Sequence, residues 1–100
     1  MNGLTKYYQE HYGEKKHGYG NDRRRLNRLL KKAGIEFEWC QIYDGYKWIF
    51  PNSVYPDGDA IIHSGSYGHR RGNFETMGIG EEDDCVERTA KELIELLKGE

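Results

Sequence analysis

Long hydrophobic runs are missing from this sequence. Only 36% of its 100 residues are hydrophobic, the mean hydropathy is -0.95, and no stretch approaches the roughly 20 apolar residues that cross a bilayer. The sequence also shows no signal-peptide pattern. We therefore expect a cytoplasmic protein that makes no membrane contact. Because 13% of the residues are aromatic, we expect the chain to fold.

Cysteine is scarce as well. Cys40 and Cys85 lie far apart and form no CxxC pair, which favours two ordinary packing residues in a reducing compartment. The sequence leaves open whether the two form a disulfide. The four histidines lack the i, i+4 helical spacing of a zinc site. We therefore predict neither a metal nor another cofactor.

Charge is distributed unevenly along the chain. The net charge of -2 conceals a gradient, because residues 1–34 contain nine basic and three acidic residues, whereas residues 80–100 contain three and eight. A basic segment of this kind can attract phosphate or an acidic partner. The alternative is that the two ends of the chain neutralise each other in the fold.

The basic region contains the clearest helix signal. We predict a helix from Asn21 or Asp22, either of which can cap its N-terminus, to about Ala33, followed by Gly34 as a left-handed C-cap. Its apolar positions follow the i, i+3, i+4, i+7 spacing of a one-sided helix: Leu26, Leu29, Leu30 and Ala33. Its remaining positions are almost wholly cationic: Arg23, Arg24, Arg25, Arg28, Lys31 and Lys32.

Strand signals follow this helix. Residues 35–43 alternate, Asp44-Gly45 is a hairpin signal, and residues 46–50 form the return strand. Two further strands are predicted at residues 60–63 and 74–79, and a last helix from about Glu81 to Lys98, with acidic residues in its first turn. The sequence thus predicts a partly ordered segment over residues 1–20 and a single domain over residues 21–100. The fold class is a two-layer α+β fold, in the order helix, antiparallel sheet of three or four strands, helix.

The segment from His63 to Phe74 is longer and more polar than a hairpin requires. Its glycines match neither a P-loop nor a dinucleotide fingerprint, but its backbone amides with Arg70 and Arg71 could grip a phosphate or carboxylate. No strand–turn–helix elbow surrounds Ser64 or Ser66. We therefore predict no catalytic residues and a non-enzymatic protein.

One part of the chain resembles a known group of proteins. Residues 48–52 read WIFPN, residues 60–68 read AIIHSGSYG, and residues 72–75 read GNFE. Together they resemble short tailed-bacteriophage proteins that share an F-P-N turn, an H-S-x-S-Y-G loop and a G-x-[FY]-E return strand. The resemblance covers residues 48–79 and implies a phage or prophage origin. It implies no activity.

Our first hypothesis is a small phage-type binding protein that engages nucleic acid or a host nucleic-acid-handling protein. Its candidate binding residues lie in the cationic helix and the glycine-rich loop: Arg23, Arg24, Arg28, Lys31, Lys32, Tyr67, Arg70 and Arg71. The alternative is an anti-CRISPR-like inhibitor of a host or defence protein, with aromatic anchors: Tyr43, Tyr46, Trp48 and Tyr67. A second alternative is a small hydrolase or metal-dependent enzyme that uses His63, Ser66 and His69. The sequence does not distinguish DNA, RNA and protein partners, and it does not fix the oligomeric state.

Overall fold

The part of the chain that the computed structural model describes, residues 18–80 and 84–99, contains two α-helices and five strands. In chain order these are α1 (Gly20–Lys32), β1 (Glu38–Ile42), β2 (Gly45–Ile49), β3 (Asp59–Ile62), a 3-10 helix (His69–Arg71), β4 (Phe74–Met77), β5 (Val86–Arg88) and α2 (Ala90–Leu97). All neighbouring strands are antiparallel, and their order is β1-β2-β3-β4-β5. The predicted α+β class is confirmed, but the sheet has five strands instead of three or four. No helix in the described ranges is long and apolar enough to cross a membrane.

The helices pack on one face of the sheet. Trp48, Ala60 and Thr76 oppose one another across β2, β3 and β4, so their side chains share a face, and all three are buried. Residues of both helices join the cluster on this face, which contains Leu26, Leu30, Trp48, Phe50, Ala60, Ile62, Phe74, Leu93 and Leu97. The outward side of each helix is thereby left at the surface.

Helix α1 buries the apolar stripe that the sequence predicts. Leu26 and Leu30 are fully buried, and Gly34 takes the predicted left-handed conformation with φ +74°. The predicted N-cap is wrong. Tyr19 occupies the cap position without a side-chain cap hydrogen bond, and its carbonyl accepts from the amide of Arg23 at 2.9 Å.

The β1–β2 hairpin is confirmed, but its turn begins one residue earlier than predicted. Ile42 pairs with Gly45, so Tyr43 and Asp44 form the turn, and Tyr43 takes a positive φ of 51°. The glycine is required within β2 itself. A Cβ at Gly45 would lie 1.8 Å from the carbonyl oxygen of Ile62 in the neighbouring strand.

The predicted last helix is wrong in its first half. Residues 86–88 form β5, and α2 begins only at Ala90. Thr89 caps α2 because its side chain accepts from the amide of Glu92 at 3.1 Å, while the Glu92 carboxylate accepts from the amide of Thr89 at 2.9 Å. Asp84 therefore precedes a strand instead of a helix. The other residues of the predicted acidic first turn, Glu81–Asp83, lie outside the described residues. The same holds for residues 1–17 of the predicted N-terminal segment.

The sheet order separates the two cysteines. Cys40 lies in β1 at one edge of the sheet, and Cys85 directly precedes β5 at the other. Four strand spacings amount to roughly 19 Å, whereas a disulfide requires Cα atoms within about 7 Å of each other. Both cysteines are free, and Cys40 is exposed, so it is not the packing residue that the sequence predicts.

Candidate functional site

A cationic groove lies along the side of α1 that adjoins β1 and β2. Five side chains line this shallow concavity of about 380 Å³: Arg23, Arg24, Asn27, Arg28 and Lys31. They lie together because, at 3.6 residues per turn, these five positions fall within about 140° of the helix circumference. Lys32 is also exposed and lies one helical turn after Arg28, but it does not line the groove. The structure thus places four of the five predicted helical cations in the groove and Lys32 beside it.

The cations of the groove lack acidic partners among the described residues. Within residues 18–80 and 84–99, no carboxylate lies within ion-pair distance of Arg24, Arg28 or Lys31. Arg24 instead donates to the amide oxygen of Asn21 at 2.5 Å, which leaves its charge uncompensated. Mutual neutralisation of the two ends of the chain therefore does not account for these three charges in the described part of the molecule.

Arg23 links the groove to an exposed aromatic side chain. Its guanidinium carbon lies 4.7 Å from the ring centroid of Trp39 and 5.2 Å from that of Tyr46, within the range of a cation–π contact. Trp39 is 44% exposed and lies on β1, the edge strand. The sequence analysis did not select Trp39, because strand alternation assigned it to the buried face. The signal that could have found it is its place on the first, and hence outermost, strand of a meander.

A series of contacts fixes this arrangement. The ring centroids of Trp39 and Tyr46 are 5.7 Å apart in an edge-to-face contact. The indole nitrogen of Trp48 donates to the side-chain oxygen of Asn27 at 2.7 Å, which ties the groove side of α1 to β2. Because Trp48 is fully buried, it is not the surface anchor that the protein-inhibitor hypothesis predicts. Tyr46 is half-buried and provides only part of its ring.

The backbone amides of the glycine-rich loop (residues 63–73) are largely used within the protein. The amide of His63 donates to Ser66 Oγ at 3.0 Å. The amide of Gly65 donates to His63 Nδ1 at 2.9 Å. The amide of Ser64 donates to the carboxylate of Asp44, and the amide of Tyr67 donates to the carboxylate of Glu75, each at 3.0 Å. The amide of Ser66 donates to the carbonyl of His63 at 3.0 Å. The predicted cradle of exposed amides for phosphate is therefore wrong in this half of the loop.

The two arginines of the loop have different surroundings. Arg70 is exposed, whereas Arg71 donates to both oxygens of Glu87 at 2.8 and 2.6 Å. This pairing, with a hydrogen bond from Asn73, lowers the pKa of Glu87 to about 2, and the same carboxylate raises the pKa of Arg71. Tyr67 is 61% exposed, so its ring lies at the surface of the loop.

The loop contacts α1 on the side opposite to Arg23. Arg25 donates to the carbonyl of Gly72 at 2.7 Å, and Tyr19, directly before α1, is hydrogen-bonded to His69 at 2.9 Å. Arg25 lies two positions after Arg23, which places their side chains about 160° apart around the axis. The loop is therefore fixed to α1 beside Arg25, which does not line the groove.

The groups of the enzyme hypothesis are engaged elsewhere. The hydroxyl of Ser66 donates to the backbone carbonyl of His63 at 2.9 Å instead of to an imidazole. The Nδ1 of His63 accepts from the Gly65 amide, and that of His69 is bonded to Tyr19. In the described ranges, no three side chains of His, Cys, Asp or Glu converge to hold a metal ion.

An acidic cluster lies on the sheet face opposite the helices. Burial raises the pKa of Asp59, and nearby Glu75 adds to the effect, although Lys47 opposes it. Burial, followed by Glu75, also raises the pKa of the Cys85 thiol. Cys85 is therefore protonated at neutral pH and is a poor nucleophile.

No protein-family model, curated protein sequence or solved structure matches this chain. The resemblance of residues 48–79 to short phage proteins therefore stays a prediction.

Proposed function

We propose that this protein is a non-enzymatic binding protein whose cationic groove contacts the phosphate backbone of a nucleic acid. The observation that carries the proposal is the alignment of Arg24, Arg28 and Lys31 along one side of α1, with no carboxylate partner among the described residues. Lysine and arginine in this arrangement suit a polyanion, because each phosphate contact releases condensed counterions. Arginine also forms paired hydrogen bonds with phosphate.

The placement of negative charge supports this orientation. The whole chain is slightly acidic, with a pI of about 6.1, which is low for a nucleic-acid-binding domain. However, Asp59 and Glu75 lie on the sheet face opposite the helices. Glu92 and Glu95 are exposed on α2, on the same side of the sheet as α1, but neither lies within ion-pair distance of Arg24, Arg28 or Lys31. A nucleic acid that approaches the groove therefore meets uncompensated positive charge.

The proposal is tested by fluorescence anisotropy with labelled single-stranded DNA, duplex DNA and duplex RNA. Titrations at about 50 and 200 mM salt separate phosphate contact from other binding, because phosphate contact weakens steeply with salt. We expect the triple variant Arg24→Ala, Arg28→Ala, Lys31→Ala to lose binding. The fold should be retained because all three side chains are exposed, and circular dichroism checks this.

A matched control removes the same amount of charge elsewhere. Lys91 and Lys98 are exposed, and Lys47 lies on the sheet face opposite the helices. All three lie outside α1, so their triple alanine variant should bind nearly as the wild type does. Equal loss of binding in both triple variants would show a general charge effect and overturn the assignment to the groove. No binding of the wild type to any probe at about 50 mM salt would overturn the nucleic-acid proposal and direct the search to protein partners.

A further inference from the structure

We propose that the cationic groove takes single-stranded nucleic acid and that one of its bases stacks on Trp39. This inference rests on the proposed function and adds the form of the ligand. It comes from the contact between the groove and an exposed ring, since Arg23 lines the groove and also lies against Trp39.

Trp39 is the accessible end of a row of aromatic side chains. Its partner in the register, Trp48, is fully buried, and Trp48 in turn contacts Phe74 with ring centroids 5.4 Å apart. Trp39 lies on the same face but on β1, where no further strand of the described part of the chain covers it, and it is 44% exposed. Its exposed surface therefore continues the surface that the cations of α1 form.

The ring is held in place before any ligand arrives. Arg23 lies 4.7 Å from its centroid, and Tyr46 meets it edge to face at 5.7 Å and 69°. A side chain that is already fixed loses little conformational freedom on binding. The nearby guanidinium also adds a cation–π contribution to a stacked arrangement.

An exposed ring beside cations favours a single strand over a duplex. In a duplex the faces of each base are covered by neighbouring base pairs, whereas unpaired bases can turn outward and stack on aromatic side chains. Proteins that hold single strands combine a positively charged groove along the backbone with such rings. Arg24, Arg28 and Lys31 would contact the phosphates, and Trp39 would take a base.

The test compares three polyanionic probes. These are single-stranded oligo(dT) of about 15 nucleotides, within the usual site size of such proteins, its duplex with oligo(dA), and inorganic polyphosphate, which has charge but no bases. We expect the tightest binding for the single strand, together with quenching of tryptophan fluorescence. The quenching reports on Trp39, because the other tryptophan, Trp48, is fully buried.

Variants assign the effect to the ring. We expect Trp39→Ala to weaken single-strand binding by roughly 5- to 100-fold, and to leave polyphosphate binding unchanged. Trp39→Phe retains an aromatic face, so this variant should bind with an intermediate affinity and without quenching of tryptophan fluorescence. It keeps the test valid if the alanine variant unfolds. Ile49→Ala is the control, because Ile49 has a similar exposure of 37% and lies on the opposite face of the same hairpin.

The outcomes separate this inference from the proposed function. Equal affinity for oligo(dT) and polyphosphate, with no quenching and no effect of Trp39→Ala, would overturn base stacking while phosphate contact stands. A preference for the duplex would also overturn it. If none of the three probes binds, this inference fails. If duplex RNA does not bind either, the proposed function fails with it.

Discussion

Two hydrogen bonds of 2.8 and 2.6 Å join the guanidinium of Arg71 to the carboxylate of Glu87. The side-chain amide of Asn73 donates to the same carboxylate at 2.7 Å, so the end of the glycine-rich loop is tied to β5. The charge of Arg71 is thereby compensated within the protein. Arg28 lies in the opposite situation, because no carboxylate in the described ranges lies within ion-pair distance of it.

Arg28 and Arg71 should therefore differ in their effect on nucleic-acid binding. We expect Arg28→Ala to reduce the slope of log affinity against log salt by about 1, the value for one lost phosphate contact. Arg71→Ala should leave that slope nearly unchanged and lower the melting temperature instead. Salt titrations by anisotropy, with thermal melting of each variant, check both expectations. Equal slopes for the two variants would show that the Glu87 pairing does not withhold Arg71 from the ligand.

The Arg71–Glu87 pair should also make stability depend on pH in the acid range. The pKa of Glu87 falls from 4.5 to about 2 in the folded protein, so the folded state favours the ionised carboxylate. A lowered carboxylate pKa contributes stability that is present above about pH 4.5 and is lost as the pH falls toward 2. We expect the melting temperatures of the wild type and of Glu87→Gln to converge across this interval. A difference that stays constant from neutral pH to pH 2 would contradict the assignment.

Local sequence patterns account for most of the fold. The apolar spacing in α1 and the alternation around the β1–β2 turn are properties of short segments. Both elements form close to where the sequence predicts them, with the turn one residue earlier and a different N-cap residue. The strand β5 could not be predicted in this way, because three residues show no periodicity. It forms through tertiary contacts, since Val86 pairs with Thr76 and the buried Arg88 donates to Thr76 and to the carbonyl of Ile79.

In the candidate site, too, local patterns predict some features, whereas others depend on tertiary contacts. The cations of α1 could be predicted because a helix of known phase determines which side chains share a side. The exposure of Trp39 could not, since it depends on β1 being an edge strand. The pairing of Arg71 with Glu87 joins residues 16 positions apart, and no local pattern indicates it. Sequence reasoning therefore could not indicate that the charge of Arg71 is compensated within the protein.

The capping box that begins α2 should be worth a measurable part of the stability. Thr89→Ala removes the acceptor of the Glu92 amide, and loss of such a cap costs about 1 kcal/mol. In a domain of this size we expect the melting temperature to fall by roughly 4 to 8 °C. Thr89→Ser keeps the hydroxyl and is the matched control. If the alanine and serine variants melt together, the cap does not stabilise the helix.

Two glycine-to-alanine substitutions should have opposite effects. At Gly45 a methyl group would lie 1.8 Å from the carbonyl oxygen of Ile62 and 2.8 Å from the Cα of His63. Both atoms belong to the backbone, so relief requires β2 and β3 to separate. We expect Gly45→Ala to lower the free energy of unfolding by about 3 kcal/mol or more.

At Gly20, the first residue of α1, the nearest atoms to a new methyl group belong to the flexible end of Arg24 at 3.4 Å or more. Alanine favours the helix by up to about 1 kcal/mol over glycine, so Gly20→Ala should be neutral or slightly stabilising. Urea denaturation of both variants measures the contrast. A tolerated Gly45→Ala would mean that β2 and β3 approach less closely than described. Since Trp39 is held through Tyr46 on β2, its fixed orientation beside Arg23 would then be in question as well.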